Sequence, residues 1–172
     1  MAGRYPSKAV ANWILTRFVK DKRPITQLQL QKLAFIAHGW HLATDPDCDG
    51  LLAESVKAWK YGPVFPSLRE EFADCGSAPI TRLANDWMWD DQFVTPSLDE
   101  YDPEDWEIRL LEWVYKRYGG FSGAKLIDIT HRTGTPWYNA TKGGTDIPQN
   151  LTIPNEDIRK FYVKLLKSVS HE

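Results

Sequence analysis

The stretch Ala58-Trp59-Lys60-Tyr61-Gly62-Pro63-Val64-Phe65-Pro66-Ser67-Leu68 decides how the chain is read. Glycine admits unusual φ, and Pro63 lacks an N–H and pushes Gly62 out of the α region, so Tyr61-Gly62-Pro63 reads as a stop. Pro66 suits the first turn of a helix whose Leu68 and Phe72 lie four apart on one face. Ahead of the stop, Ser55 to Tyr61 reads as a short strand, with Val56, Ala58 and Lys60 alternating against Lys57, Trp59 and Tyr61. The chain therefore changes direction stiffly here, at an elbow with helices on both sides.

Two helices precede the elbow. Ser7 reads as the cap of a helix running to about Asp21, with Val10, Trp13, Ile14 and Phe18 on one stripe. Thr26 with Gln29 forms a capping box, and Ile25 with Leu30 has staple spacing, for a second helix reaching about Thr44. That helix is apolar nearly all round, which predicts a central position; Gly39 inside it predicts a close approach by another backbone. After the elbow a helix runs from Pro66 to about Asp74 and stops at Gly76. Residues 77–102 read as irregular, with a short strand at Ile80 to Leu83. Asp102 as N-cap and Pro103 at N1 open a helix striped by Trp106, Leu110, Trp113 and Val114. Ser122 caps the next helix, Thr135-Pro136 opens a brief turn, and 141–152 is a polar loop. A last helix carries Ile158, Phe161, Tyr162, Leu165, Leu166 and Val169 at helical spacing. The fold class expected is mainly α: one compact domain over residues 1–172, about six helices with one or two short β-strands.

With 172 residues, 42% apolar and eight Trp, the chain can build a core from large rings and still leave aromatic anchors outside. Of the Trp residues, 13, 40, 106, 113 and 137 fall on stripes or in motifs and are expected in the core. A net charge of −2 gives no basic field, and the small clusters Lys8/Lys20/Lys22/Arg23 and Lys57/Lys60 form no stripe, which argues against nucleic acid. Cys48 and Cys75 form no CxxC pair, so a reducing cytoplasm is the expected compartment. No apolar run reaches the ~20 residues of a membrane span.

Three patterns bear on metal or catalytic chemistry. Asp45-Pro46-Asp47-Cys48-Asp49-Gly50 matches the first half of a calcium loop, but the position of the bidentate acid holds Val56, so it reads as a polar turn. His38 and His41, three apart, could join Cys48 or Asp45 around zinc, yet no further ligands stand at a recognised spacing. His131, with Asp128 three residues earlier, is the one candidate general base; without a nucleophile motif it reads as structural, bonding a loop backbone or packing on Trp137. No cofactor or metal is expected, and no enzyme.

The residues Leu30-Gln31-Lys32-Leu33 with Gly39-Trp40-His41-Leu42, then Ala58-Trp59-Lys60-Tyr61-Gly62-Pro63-Val64 and Pro66, together resemble the Panacea domain, the SocA-like antitoxin family. Tyr118-Gly119, Ser122, Leu126, Thr130-His131, Pro136-Trp137 and Ile153-Pro154 agree with it, so the resemblance covers about residues 7–166. It implies an antitoxin of a bacterial or phage toxin–antitoxin system that neutralises a cognate protein toxin by direct contact. An alternative it also implies is an adaptor that delivers the toxin to an ATP-dependent protease. The segments 45–50 and 86–93 depart from the shared pattern. On this reading Gly39, Trp40, Gly62, Pro63, Pro66, His131 and Trp137 are architectural. Trp59, Lys60, Tyr61, Trp87 and Trp89 are the candidate protein contacts, because Trp and Tyr dominate interfaces. Specificity is expected in 45–54 and 77–101.

Overall fold

Thr26 accepts from the Gln29 N–H and Gln29 reaches back to the Thr26 N–H, so the capping box forms and starts α2 (Gln27–Thr44) where the sequence places it. Every residue from Leu30 to Leu42 is buried. The other elements are arranged around this helix. The computed structural model describes residues 3–88 and 90–170. Within them the helices are α1 (Ser7–Lys20), α2, α3 (Pro66–Glu71), α4 (Asp105–Tyr118), α5 (Gly123–His131), α6 (Pro136–Ala140) and α7 (Asn155–Val169). Two antiparallel hairpins complete the fold: β1 (Lys57–Trp59) with β2 (Gly62–Val64), and β3 (Asp86–Trp87) with β4 (Phe93–Val94). The fold is thus mainly α, with one more helix and one more strand pair than the sequence suggested. No helix among the described residues is long and apolar enough to cross a membrane.

α1, α4, α5, α7 and β2 all pack on α2. α7 comes close at Gly39, where any Cβ would collide with the ring of Tyr162. The element that comes close is therefore a side chain and not a backbone. Trp40 packs edge-on against both Trp113 and Tyr162, at 5.2 Å between ring centres in each case. Phe35, Leu33, Ile36 and Leu42 fill the remaining faces.

Several local expectations are corrected. Pro6, not Ser7, occupies the N-cap of α1, and the Ser7 hydroxyl is buried without a partner among the described residues. Asp102 lies at φ 50°; Glu104 caps α4 instead, in a capping box with Glu107. Ile80 to Leu83 forms no strand; the strands of that region are β3 and β4. The buried stripe of α4 is Glu107, Leu111, Val114 and Tyr115, so Trp113 is 43% exposed, not core, and Trp13 and Trp106 are half-buried. α7 buries only Ile158 and Tyr162 of its apolar series.

Candidate protein-docking surface

The elbow is a β-hairpin. Trp59 pairs with Gly62, leaving Lys60-Tyr61 as a two-residue turn, and Gly62 supplies the positive φ (112°) that brings the chain back. The stop read from Pro63 is therefore a strand residue. Pro63 faces Ala58, whose N–H points away from β2 to the Leu151 carbonyl (2.9 Å). This makes Ala58/Pro63 a non-hydrogen-bonded pair, in which a missing donor costs the ladder nothing.

The outward side of β2 is completed by side chains of α2. Lys32 Nζ donates to the Pro63 carbonyl (3.2 Å); Gln31 donates to the Phe65 carbonyl (3.0 Å) and accepts from the Phe65 N–H (2.9 Å). Trp137 Nε1 donates to the Trp59 carbonyl (2.7 Å), and its indole stacks on His131 at 3.7 Å and 6°. A Cβ on Gly62 would lie 2.8 Å from Lys32 Nζ and 2.9 Å from His131 Nε2. The residues that carry the family resemblance in three separate parts of the chain thus meet at one point. Burial pushes Lys32 down to about 7. Burial and the Lys32 charge lower His131, against a backbone hydrogen bond with Tyr61. On this rigid base Trp59 is 40% and Tyr61 61% exposed, with Lys60 Nζ 5.5 Å from the centre of the Tyr61 ring.

The second hairpin uses the same device on α1. Asn12 donates to the carbonyls of Ala84 (3.0 Å) and Pro96 (2.7 Å) and accepts from the Ala84 N–H (2.7 Å). It thereby pins both chains entering β3 and leaving β4. Lys8 binds the Asn85 carbonyl, Asp86 and Glu71. Beyond this base Trp87 (65% exposed) lies against Phe93 (61% exposed), ring centres 3.9 Å apart, beside the exposed Met88. No Lys, Arg or His occurs from residue 83 to 108, so the hairpin is acidic as well as aromatic. A cleft between it and α3 is lined by Lys8, Ser67, Glu70, Glu71 and Arg82. Trp89 lies outside the described residues. The two hairpins stand on different helices: the first on α2 and α5, the second against α1 and α3.

The remaining candidates are tied into the interior. His38 accepts from the Leu52 N–H at Nδ1 (3.2 Å) and donates from Nε2 to Asn155 Oδ1 (2.9 Å); burial pushes it down to about 4. His41 Nε2 lies 2.7 Å from Glu107 Oε1 and its Nδ1 3.2 Å from Cys48 Sγ, with Tyr5 donating to the other Glu107 oxygen. Burial would raise the Glu107 carboxyl, but hydrogen bonds from Tyr5 and His41 hold it below the usual carboxylate range. Cys48–His41–Glu107 has the connectivity of a nucleophile–base–orienter set. It is sealed, however: His41 and Glu107 are fully buried, and burial pushes the Cys48 thiol up rather than activating it. In the Asp45–Gly50 loop Asp45 accepts from the Asp47 N–H (3.1 Å). The Arg159 guanidinium donates to the carbonyls of Leu42, Asp45 (2.9 Å) and Cys48. A protein cation thus fills the loop. Cys48, Gly50, Leu51 and Leu52 are buried, so only the outer part of 45–54 is exposed.

Sequence reading assigns no role to Gln31, Lys32, Asn12, Met88 or Phe93 at a docking surface. For the first three a signal exists: polar side chains on helix faces that must be buried demand partners, here the backbone of the hairpins. Phe93 acquires its position only through the register of β3 with β4.

Residues 30–138 match the family described as Antitoxin SocA-like, Panacea domain. A relative named Antitoxin SocA, from Caulobacter vibrioides (strain NA1000 / CB15N), is 31% identical over 157 residues, covering 89% of this chain and 80% of that protein. No solved structure matches. The match begins at Leu30 and ends at Tyr138, and so takes in the α2 side chains, the Gly62 hairpin, His131 and Trp137 that converge above. The chain belongs to the SocA-like antitoxin, Panacea domain family.

Proposed function

We propose that the protein is an antitoxin that neutralises a cognate protein toxin by direct complex formation, with the β3–β4 hairpin as its main contact and Trp59, Lys60 and Tyr61 as a second. The observation that carries this reading is the Trp87–Phe93 pair. Two large rings stand in solvent on a hairpin whose base is clamped by a buried amide. Rigid, exposed aromatics are the usual anchors of protein interfaces, because they bury much area and lose little side-chain entropy on binding. The surrounding carboxylates favour a toxin surface of positive potential and speed encounter with it. The reading is one of binding; the Cys48–His41–Glu107 set is buried and takes no part in it.

Co-expression with the toxin encoded beside its gene tests this. The expected result is restored growth and a co-purifying complex, both lost in the Trp87→Ala/Phe93→Ala variant while its circular dichroism is unchanged. Undiminished rescue by that variant would remove the hairpin from the interface. Rescue that disappears in a host lacking its ATP-dependent proteases would replace occlusion by delivery for degradation.

A further inference from the structure

α7 carries more apolar surface than the core uses. Ile158 and Tyr162 are buried against α2, but Phe161 and Leu165 turn toward α5 and remain half-buried. There they form one wall of a groove of about 370 Å3. Ile129 of α5 forms the other wall, Phe121 closes the end beyond α4, and Ile36 contributes to the lining from α2. The charged residues lining this groove are Arg117, Lys125 and Arg132; among the described residues no carboxylate lines it. Arg117 lies over the rings of Tyr118 and Phe121, at 5.6 and 5.9 Å from their centres. Arg132 pairs with Asp128 at 2.7 Å, both more than half exposed, so this pair is screened by solvent. The rim is therefore net positive around an apolar floor, the opposite of the acidic hairpin.

We propose that this groove docks an acidic amphipathic helix of a partner protein. Its apolar face would lie between α5 and α7, and its carboxylates would reach Arg117, Lys125 and Arg132. Two helical walls with an apolar floor accept a third helix by ordinary ridge-and-groove packing, and apolar anchors at i, i+3, i+4 and i+7 are what such grooves read. The cationic rim selects the charge of that helix and rejects a basic one. The groove is built from α2, α4, α5 and α7 with the loop after α5, and neither hairpin lines it. The inference thus stands apart from toxin neutralisation and gives the protein a second docking face.

The test uses a fluorescein-labelled helical peptide with leucine on one face and glutamate on the other, and its lysine-for-glutamate counterpart, titrated against the full chain by anisotropy. The glutamate peptide is expected to bind at least about tenfold more tightly than the lysine peptide, a preference that shrinks at high salt. Lys125→Glu/Arg132→Glu, at exposed positions that leave the fold intact, is expected to weaken it by about tenfold or more. Ile129→Asp is expected to abolish binding, and Trp87→Ala to leave it unchanged. Equal affinity for both peptides, or binding indifferent to the charge-reversed variant, overturns the proposal. So does a failure of the glutamate peptide to bind while vesicles of anionic phospholipid do, because the face would then be a membrane contact. Toxin rescue by Lys125→Glu/Arg132→Glu reports on the hairpin reading separately: persistence of rescue leaves that reading standing whatever the peptides show.

Discussion

The two hairpins are built alike and braced differently. Each is fixed by a buried amide from a neighbouring helix, Gln31 for the first and Asn12 for the second. In the first, the clamp extends along the whole strand: Lys32 and His131 flank Gly62, Gln31 holds Phe65, Trp137 holds the Trp59 carbonyl, and residues 151–153 bond the far edge of β1. In the second, the clamp stops at Ala84 and Pro96, and the aromatic pair stands beyond it. A hairpin braced along its length is part of the frame, and one braced at its base is free to be a surface. The residues that carry the family resemblance include the braced hairpin, whereas the sequence reading places 45–50 and 86–93 outside the shared pattern.

The sharpest way to break this contrast is at Gly62. Gly62→Val would force a β-branched residue to φ 112° and drive its side chain into Lys32 and His131. We expect a loss of about 4 kcal/mol or more, read as a large fall in Tm or failure to fold. A loss under about 1 kcal/mol would mean that the first hairpin is not part of the frame.

Next come the two clamps. Gln31→Leu and Asn12→Leu each strand buried backbone groups, at about 2–3 kcal/mol each by denaturant titration. The sharpening result is in binding: Asn12→Leu should weaken the toxin complex more than its stability loss explains, whereas Gln31→Leu should not.

Lys32 gives a signature in pH. Burial holds its folded pKa at about 7, against 10.5 for an unperturbed lysine. Between these values the unfolded chain holds a proton that the folded one does not, so stability rises with pH from about 7 to 10.5. The full rise is on the order of 5 kcal/mol. Lys32→Met removes that slope and, at neutral pH, changes stability by only about 1 kcal/mol, because the lost bond to Pro63 offsets the relieved burial. On the acid side His38 works in the same sense. It accepts from the Leu52 N–H only when neutral, so stability falls as pH drops from 6.5 toward about 4. Differential scanning across this range checks both limbs; a wild-type Tm flat from about pH 7 to 10 contradicts the buried, uncharged Lys32.

The smallest expected effect on stability is at the exposed rings. Trp87→Ala/Phe93→Ala should shift it by no more than about 0.5 kcal/mol per residue.

How much of this is legible follows from where the determinants lie. The capping box of α2, the cap of α5 at Ser122 and the Thr135-Pro136 start of α6 are local, and the sequence states them. The start of α4 escapes a local reading because Glu107 is an N3 cap partner that is also held by Tyr5 and His41 from distant elements. Pro63 reads as a stop because it lacks an N–H and pushes Gly62 out of the α region; only the register with Ala58 and the Leu151 carbonyl shows why a strand tolerates it. The β3–β4 pairing escapes because its strands are two residues each and no Asn-Gly or Asp-Gly marks the turn. The aromatic wealth is plain, yet stripe membership overstates burial: Trp113 touches Trp40 edge-on and still faces solvent, while α7 continues its apolar pattern past the core. Of the candidate contacts, Trp59, Tyr61 and Trp87 are exposed as an interface requires, and the stacking partner of Trp87, Phe93, comes from the structure.

The most direct measurement is the affinity of the wild-type chain and of Trp87→Ala/Phe93→Ala for the toxin encoded beside the gene, by calorimetry, with Tm recorded for both. The account predicts that the variant keeps its Tm and loses at least about a hundredfold in affinity, as expected when two central anchors are removed. Equal affinities at equal Tm would contradict it and place the interface elsewhere on the molecule.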